Sequence, residues 1–229
     1  MVRTVSTVPV TARPTNRTPP YRYTTSASRI IMISGDTNAR CSFDSSVHAQ
    51  RKHEMALLEP GAAANAYKAN ILRYQAGADF LALQAAAPEK LASLIGGLSA
   101  EELARRPAPD KWSIQELAAH LADDELVGAY RIRMILSSPG TAILAFDQDI
   151  WARTGRYAST DTKASVEMFR ILRQANLALL RSLAPAEWNL YGIHAERGAE
   201  SIRDIAMYYA GHDLNHFEQI EAIRKQHKG

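Results

Sequence analysis

The chain has 229 residues, 46% of them hydrophobic, with 27 Lys or Arg against 24 Asp or Glu and a pI near 9.0; that is enough for one good core, and no shift in composition marks a second. Residues 1–54 hold eight Lys or Arg and three acids, a net of +5, while the rest carries nineteen bases and twenty-one acids, a net of −2, so the body lacks the clustered basic footprint of a nucleic-acid binder and that partner class is excluded. The single Cys41 lies in the basic segment and rules out an intrachain disulfide or a cysteine cluster, so any metal must be held by His and carboxylate.

Residues 1–61 read as a disordered extension. The stretch "MVRTVSTVPVTARPTNRTPPYRYTTSASR" is rich in Thr, Ser, Arg and Pro, has no acid before Asp36, and keeps neither a helical nor a strand period. Its Arg and Ser bias imitates an organellar transit peptide, although an upstream start, with Met32 or Met55 as the true first residue, is the simpler reading. "IIMIS" at 30–34 is too short for a secretory signal, and nothing elsewhere approaches a membrane span. The expectation is a cytoplasmic protein with no membrane partner.

Residues 62–229 read as a single all-α domain. "ANAYKANILRYQAGADFLALQAAAPEKLASLIGGL" carries apolar residues at helical spacing and reads as one helix with an interruption, where Pro88 either opens a new turn or marks a kink. "SAEELARR" places Ser99 three residues before Glu102, a capping box for a short helix that ends before Pro107 and Pro109. The same box recurs at Ser113 and Glu116, with Trp112 at the entry, and predicts a helix from Ile114 to Leu136 stopped by Ser137, Ser138, Pro139 and Gly140. A short crossover helix is expected around 142–151. A third long helix, capped by Thr160 or Asp161, carries a stripe of Val166, Phe169, Leu172 or Arg173, Leu177 and Leu180 and closes before Pro185. "PAEWNLYGIHAERGAE" is then a loop, and a fourth long helix opens near Ser201. Four long helices, one with a longer connection, predict a four-helix bundle.

Two inward faces carry polar groups. On the last helix Ile202, Ile205, Tyr209, His212, His216, Ile220 and Ile223 recur every three or four residues; on the second, Leu117, His120, Leu121, Asp124, Gly128 and Ile135 do the same. Histidines at i and i+4 stand one turn of about 5.4 Å apart, close enough to converge on one ion with bonds of ~2.0–2.1 Å if it is zinc. His120 from the facing helix completes a facial set that leaves a coordination position open. Burying three unpaired imidazoles without an ion would leave polar atoms unsatisfied. The expected ligands are therefore His120, His212 and His216. Asp124 is expected beside them as a general base or as an acceptor that orients an imidazole, with a fourth ligand as the other option. Asp123, Glu125 and Asp213 read as solvated or capping charges, one of which could hold a ligand ring from outside. Arg131 and Arg133 either steer an anionic substrate or form surface ion pairs with the third helix. Trp112, Trp151 and Trp188 read as packing at the bundle ends, and His194 as a loop residue at a pocket rim or in solvent.

"PAPDKWSIQELAAHLADDE", "RIRMIL", "FDQDIWA", "GIHAERGAESI" and "YYAGHDLNHFEQI" carry a family resemblance. Over roughly residues 68–225 the chain resembles the DinB-like four-helix-bundle superfamily, in particular its YfiT-like branch of metal-dependent hydrolases. The resemblance implies a metal, usually zinc or nickel, at His120, His212 and His216, and a homodimer. Its characterised relatives include transferases that use small thiols such as bacillithiol or mycothiol, and a thiol-dependent maleylpyruvate isomerase. The expected function is thus a metal-dependent enzyme that transfers a low-molecular-weight thiol to an electrophilic small-molecule substrate. Metal-dependent hydrolysis and a non-catalytic metal- or ligand-binding role in stress are the alternatives.

Overall fold

Side chains able to take up the free N–H groups at a helix start mark most of the element boundaries. The structure, a computed structural model, describes residues 61–228. Apart from Gly61, the extension expected over 1–61, with Cys41 and the two alternative starts, lies outside the described residues. The first helical stretch divides into α1 (Ala62–Tyr74) and α2 (Phe80–Ile95), and the break falls before Asp79, whose carboxylate accepts from Leu81 N and Ala82 N, rather than at Pro88. Pro88 lies inside α2. It has no N–H to give the Gln84 carbonyl four residues back, and that carbonyl instead accepts from Arg173 Nη1 at 3.3 Å.

Both capping boxes form, at the starts of α3 (Ala100–Ala104) and α4 (Ile114–Ser137). Residues 142–201 depart from the all-helical expectation. A two-residue strand β1 (Ala142–Ile143) precedes α5 (Gln148–Thr154), and a 3-10 turn at Tyr157–Ser159 leads to α6 (Thr162–Ser182), capped by Asp161. The expected loop after α6 holds a hairpin of β2 (Tyr191–His194) and β3 (Gly198–Ser201), with β1 parallel to β2 on its other edge. These strands are too short, and Tyr-Gly-Ile-His too poor in β-branched residues, to show a period. The last helix, α7 (Ile202–Lys228), starts where Asp204 accepts from Ser201 N at 2.9 Å. No helix among the described residues is long and apolar enough to cross a membrane.

The bundle consists of α2, α4, α6 and α7. Helices α4 and α2 each pack against both α6 and α7, so the consecutive pairs α2 and α4, and α6 and α7, lie on diagonals. Long connections make this possible: residues 96–113, with α3, and residues 183–201, with the hairpin. Helix α1 runs along α7, and Gly211 lets the two backbones meet, since a Cβ there would lie 2.3 Å from Ile71 O.

Along the bundle, two apolar layers enclose a polar one. Leu91, Ile114, Leu117, Phe169 and Ile220 build one apolar cluster; Ile71, Ile132, Leu180, Ile202 and Ile205 build the other. The stretch of each helix between them is polar and buried: Gln84 on α2, His120, Asp124 and Glu125 on α4, Arg173 and Asn176 on α6, and His212, Asp213 and His216 on α7. Arg173, not Leu172, faces inward. Its guanidinium donates to Glu125 Oε2 at 2.8 Å, to Asp213 Oδ2 at 2.5 Å and to Gln84 O, so one side chain of α6 holds the three other bundle helices. Glu125 and Asp213 are thus neither solvated nor capping charges, because both are buried against Arg173. Burial pushes the Asp213 carboxyl up to about 6, against the pull of Arg173.

Replacing Arg173 by Met leaves two buried carboxylates without a counter-charge, and a loss of about 3–5 kcal/mol in urea unfolding is expected. Adding Glu125→Gln and Asp213→Asn should recover much of it. A single substitution costing under about 1 kcal/mol would contradict the clamp.

Candidate metal centre

The three histidines sit in the polar layer because helical spacing and burial both place them there. His120 is 1% exposed, His212 1% and His216 5%. Their imidazoles converge: His212 Nε2 lies 3.3 Å from His120 Nε2 and 3.1 Å from His216 Nε2, and one nitrogen of each ring falls within 4.8 Å of the others. Nitrogens bound tetrahedrally to one ion at ~2.0–2.1 Å stand about 3.3 Å apart, so the observed spacing fits a shared cation.

The outer ring nitrogens point to the same conclusion. His216 Nδ1 lies 3.0 Å from Gln219 Oε1 and donates to it, which leaves Nε2 with a lone pair directed inward. His212 Nδ1 faces Asp124 Oδ2 at 3.4 Å, and neither atom has another partner among the described residues. With the proton on Nδ1, His212 also directs a bare Nε2 at the meeting point. Lone pairs facing one another at 3.1 Å repel unless a proton or a metal ion lies between them. Burial, followed by the neighbouring His216, holds His120 well below its ordinary pKa, and burial, His216 and His120 do the same for His212. Burial takes His216 to about 4. All three are therefore neutral near pH 7, the form that binds metal.

Asp124 faces the outer nitrogen of His212 and lies outside the group of three side chains whose nitrogens converge. Burial raises its carboxyl to about 7, with Arg131 opposing and Asp213 and Glu125 adding to the shift. Tyr208 stacks on His212 with centroids 5.7 Å apart, and Tyr209 lies against α4 at Gly128, where a Cβ would come within 2.6 Å of its ring. Trp112 is not simply an end-packing residue: its ring lies 4.9 Å from that of His120. Glu116 is taken by the Ser113 cap and by Arg106.

Two cavities flank the cluster. One, of about 630 Å³, is bordered by Asp124, Tyr208, Arg131 and His194; the other, of about 620 Å³, by His216, Gln219, Trp112 and Lys111; Tyr67, Gln148 and Asp149 border both. His194 lies on β2, buried on the cavity wall rather than in a solvated loop. Arg131 borders the same cavity, while Arg133 reaches α6 through the uncharged Asn176 rather than an ion pair. Asp123 accepts from Tyr157 Oη at 2.6 Å. Of the groups not singled out from sequence, Gln219 was reachable from its position three residues after His216 on the same face. Gln148 and Asp149 lie in the stretch "FDQDIWA" that carries the family resemblance, but nothing local to them or to Tyr67 points to the cavity.

The DinB superfamily model matches residues 84–220. A protein of Oceanobacillus iheyensis is 24% identical over 139 residues, 61% of this chain and 80% of its own length; one of Bacillus licheniformis is 27% identical over 141 residues, with the same coverage. Both carry names that assign them provisionally to metal-dependent hydrolases. Among solved structures, YfiT from Bacillus subtilis, described as a probable metal-dependent hydrolase with an unusual four-helix bundle topology, superposes with a TM-score of 0.62 at 19% identity. The match covers 65% of this chain and 86% of that one.

Removing the acceptor behind a ligand ring should loosen the ion. Gln219→Ala is expected to weaken divalent-metal affinity about 10–100-fold in chelator competition, and Gln219→Glu, which keeps an acceptor, to retain most of it. Equal affinity in all three proteins would show that Gln219 does not set the His216 tautomer.

Proposed function

The chain belongs to the DinB superfamily, and from that premise we propose that it is a metal-dependent hydrolase of small molecules, with His120, His212 and His216 as the ligands of one divalent ion. The observation that carries the reading is the convergence of three buried Nε2 atoms at 3.1 and 3.3 Å beside two cavities. Imidazole donors suit zinc and nickel alike. A divalent ion held there supplies Lewis-acid polarisation of a carbonyl and lowers the pKa of a water.

The chain's own groups do the rest. Gln219 and Asp124 keep the outer protons of His216 and His212 in place, so the inner nitrogens stay available. Asp124 also borders the larger cavity, where its carboxyl can take a proton from a water beside the substrate. The Trp112 ring and the Tyr208 ring pack on His120 and His212 and limit their rotation. A closed structural site would not need cavities on two sides of the cluster, which favours a reactive centre over a purely structural one. Thiol transfer, expected from the family resemblance, has no residue in its favour: neither cavity wall selects a thiol over water.

Metal analysis after mild purification, with His216→Ala beside the wild type, is the first test. The wild type should retain zinc or nickel that the variant loses. Hydrolysis of a panel of activated esters and amides should fall at least about 100-fold on chelation and return with the ion. A wild type with no more metal than His216→Ala would remove the basis of the reading, and turnover only with an added thiol would replace hydrolysis by transfer.

A further inference from the structure

Arg131 is a buried charge without an ion-pair partner. It is 7% exposed, donates from Nη2 to Leu144 O at 2.8 Å, and lies over the Phe146 ring at 5.8 Å. No carboxylate comes within 4.0 Å of it among the described residues. A guanidinium has five donors and cannot lose its charge, and withdrawing it from water is costly unless an anion faces it. The other inward-facing guanidinium groups meet this requirement: Arg173 has Glu125 and Asp213, and Arg197 grips both oxygens of Glu200 at 2.9 Å. Arg131, the exception, borders the cavity beside the histidine cluster; Arg197 borders it too, but its charge is met by Glu200.

A second donor faces the same space. His194 is 1% exposed, and its Nδ1 accepts from Glu196 N at 3.1 Å, so the ring proton sits on Nε2. Nε2 has no partner among the described side chains. Burial, with Arg197 and Arg131 adding to it, takes this imidazole to about 4, so it stays neutral. It offers one N–H without a competing charge.

We propose that this cavity binds the carboxylate of an acidic small-molecule substrate, held by Arg131 with His194 as the accessory donor, and presents the rest of the molecule to the histidine cluster. The inference rests on the hydrolase reading for what then happens to the substrate. Asp124 and Arg131 are seven residues apart on α4, two turns along one face and about 10 Å from Cα to Cα. Both side chains border the cavity, so a molecule there can meet Arg131 at one end and Asp124, whose carboxylate faces His212 Nδ1, at the other. The guanidinium fork matches a planar carboxylate. Asp124, Asp149 and Glu196 also border the cavity, as does Asp147, which is occupied in capping Ile150 N. A single negative charge is tolerable among them, whereas the double charge of a phosphate monoester is disfavoured.

Calorimetric titration of the full chain with benzoate, its neutral analogue benzamide and phenyl phosphate tests this, in metal-loaded and metal-free protein. The wild type should bind benzoate at least about tenfold more tightly than benzamide, and more tightly than phenyl phosphate. Arg131→Gln should lose the preference for benzoate, Arg131→Lys should keep part of it, and metal content should be the same in all three. A second variant, His194→Gln, should weaken benzoate binding by a smaller factor. Equal binding of benzoate and benzamide, an unchanged preference in Arg131→Gln, or no benzoate binding at about 10 mM would overturn the proposal. Tighter binding of phenyl phosphate would overturn the carboxylate assignment. Benzoate binding that depends on Arg131 in metal-free protein would leave the subsite standing even if the metal reading failed. Retained metal without a benzoate preference would sink the subsite alone.

Discussion

One guanidinium holds the bundle together at its most expensive level. Arg173 reaches from α6 to Glu125 on α4, Asp213 on α7 and the Gln84 carbonyl on α2. Burying that charge is tolerable because two carboxylates and a carbonyl replace the lost water, and the carbonyl is free because Pro88 cannot donate to it. Without the clamp two buried carboxylates between the apolar clusters would lack a counter-charge. With it, the layer specifies how the four helices must be aligned along their axes, since a shift of one turn would separate every partner at once.

The same clamp shapes the site. Asp213 follows His212 in sequence and Glu125 follows Asp124, so the residues that bind Arg173 and those that face the cluster alternate along two helices. Each helix thus presents one charged side chain to the clamp and the next residue to the cluster, which ties the positions of the imidazoles to those of the ion pairs. Glu125 and Asp213 oppose the single charge of Arg173, and Asp124 adds a carboxyl raised by burial to about 7.

Much of the bundle was legible in the chain. The boxes at Ser99 and Ser113, the cap at Asp161 and the apolar stripes depend on neighbours within a few residues, and they appear in the structure as read. The inward direction of His120, His212 and His216 followed from the 3.6-residue period alone. The hairpin did not follow, because its strands pair with each other and with β1 across long stretches of sequence and have little pattern of their own. Nor did the choice of Arg173 over Leu172. Periodicity allowed either, and local hydrophobicity favoured the wrong one; only acids arriving from two other helices make a buried arginine stable.

The sequence by itself determined which faces of α4 and α7 turn inward and which residue types they carry, because helical geometry is local. Tertiary structure decided what those residues meet: Asp124 behind His212, Gln219 behind His216, Arg131 and His194 on one cavity wall. Those meetings join α4 to α7 and to a hairpin some sixty residues further along the chain. They depend on a diagonal bundle order that loop lengths permit without selecting, and on the energy of charge pairs that exist only once the helices have packed.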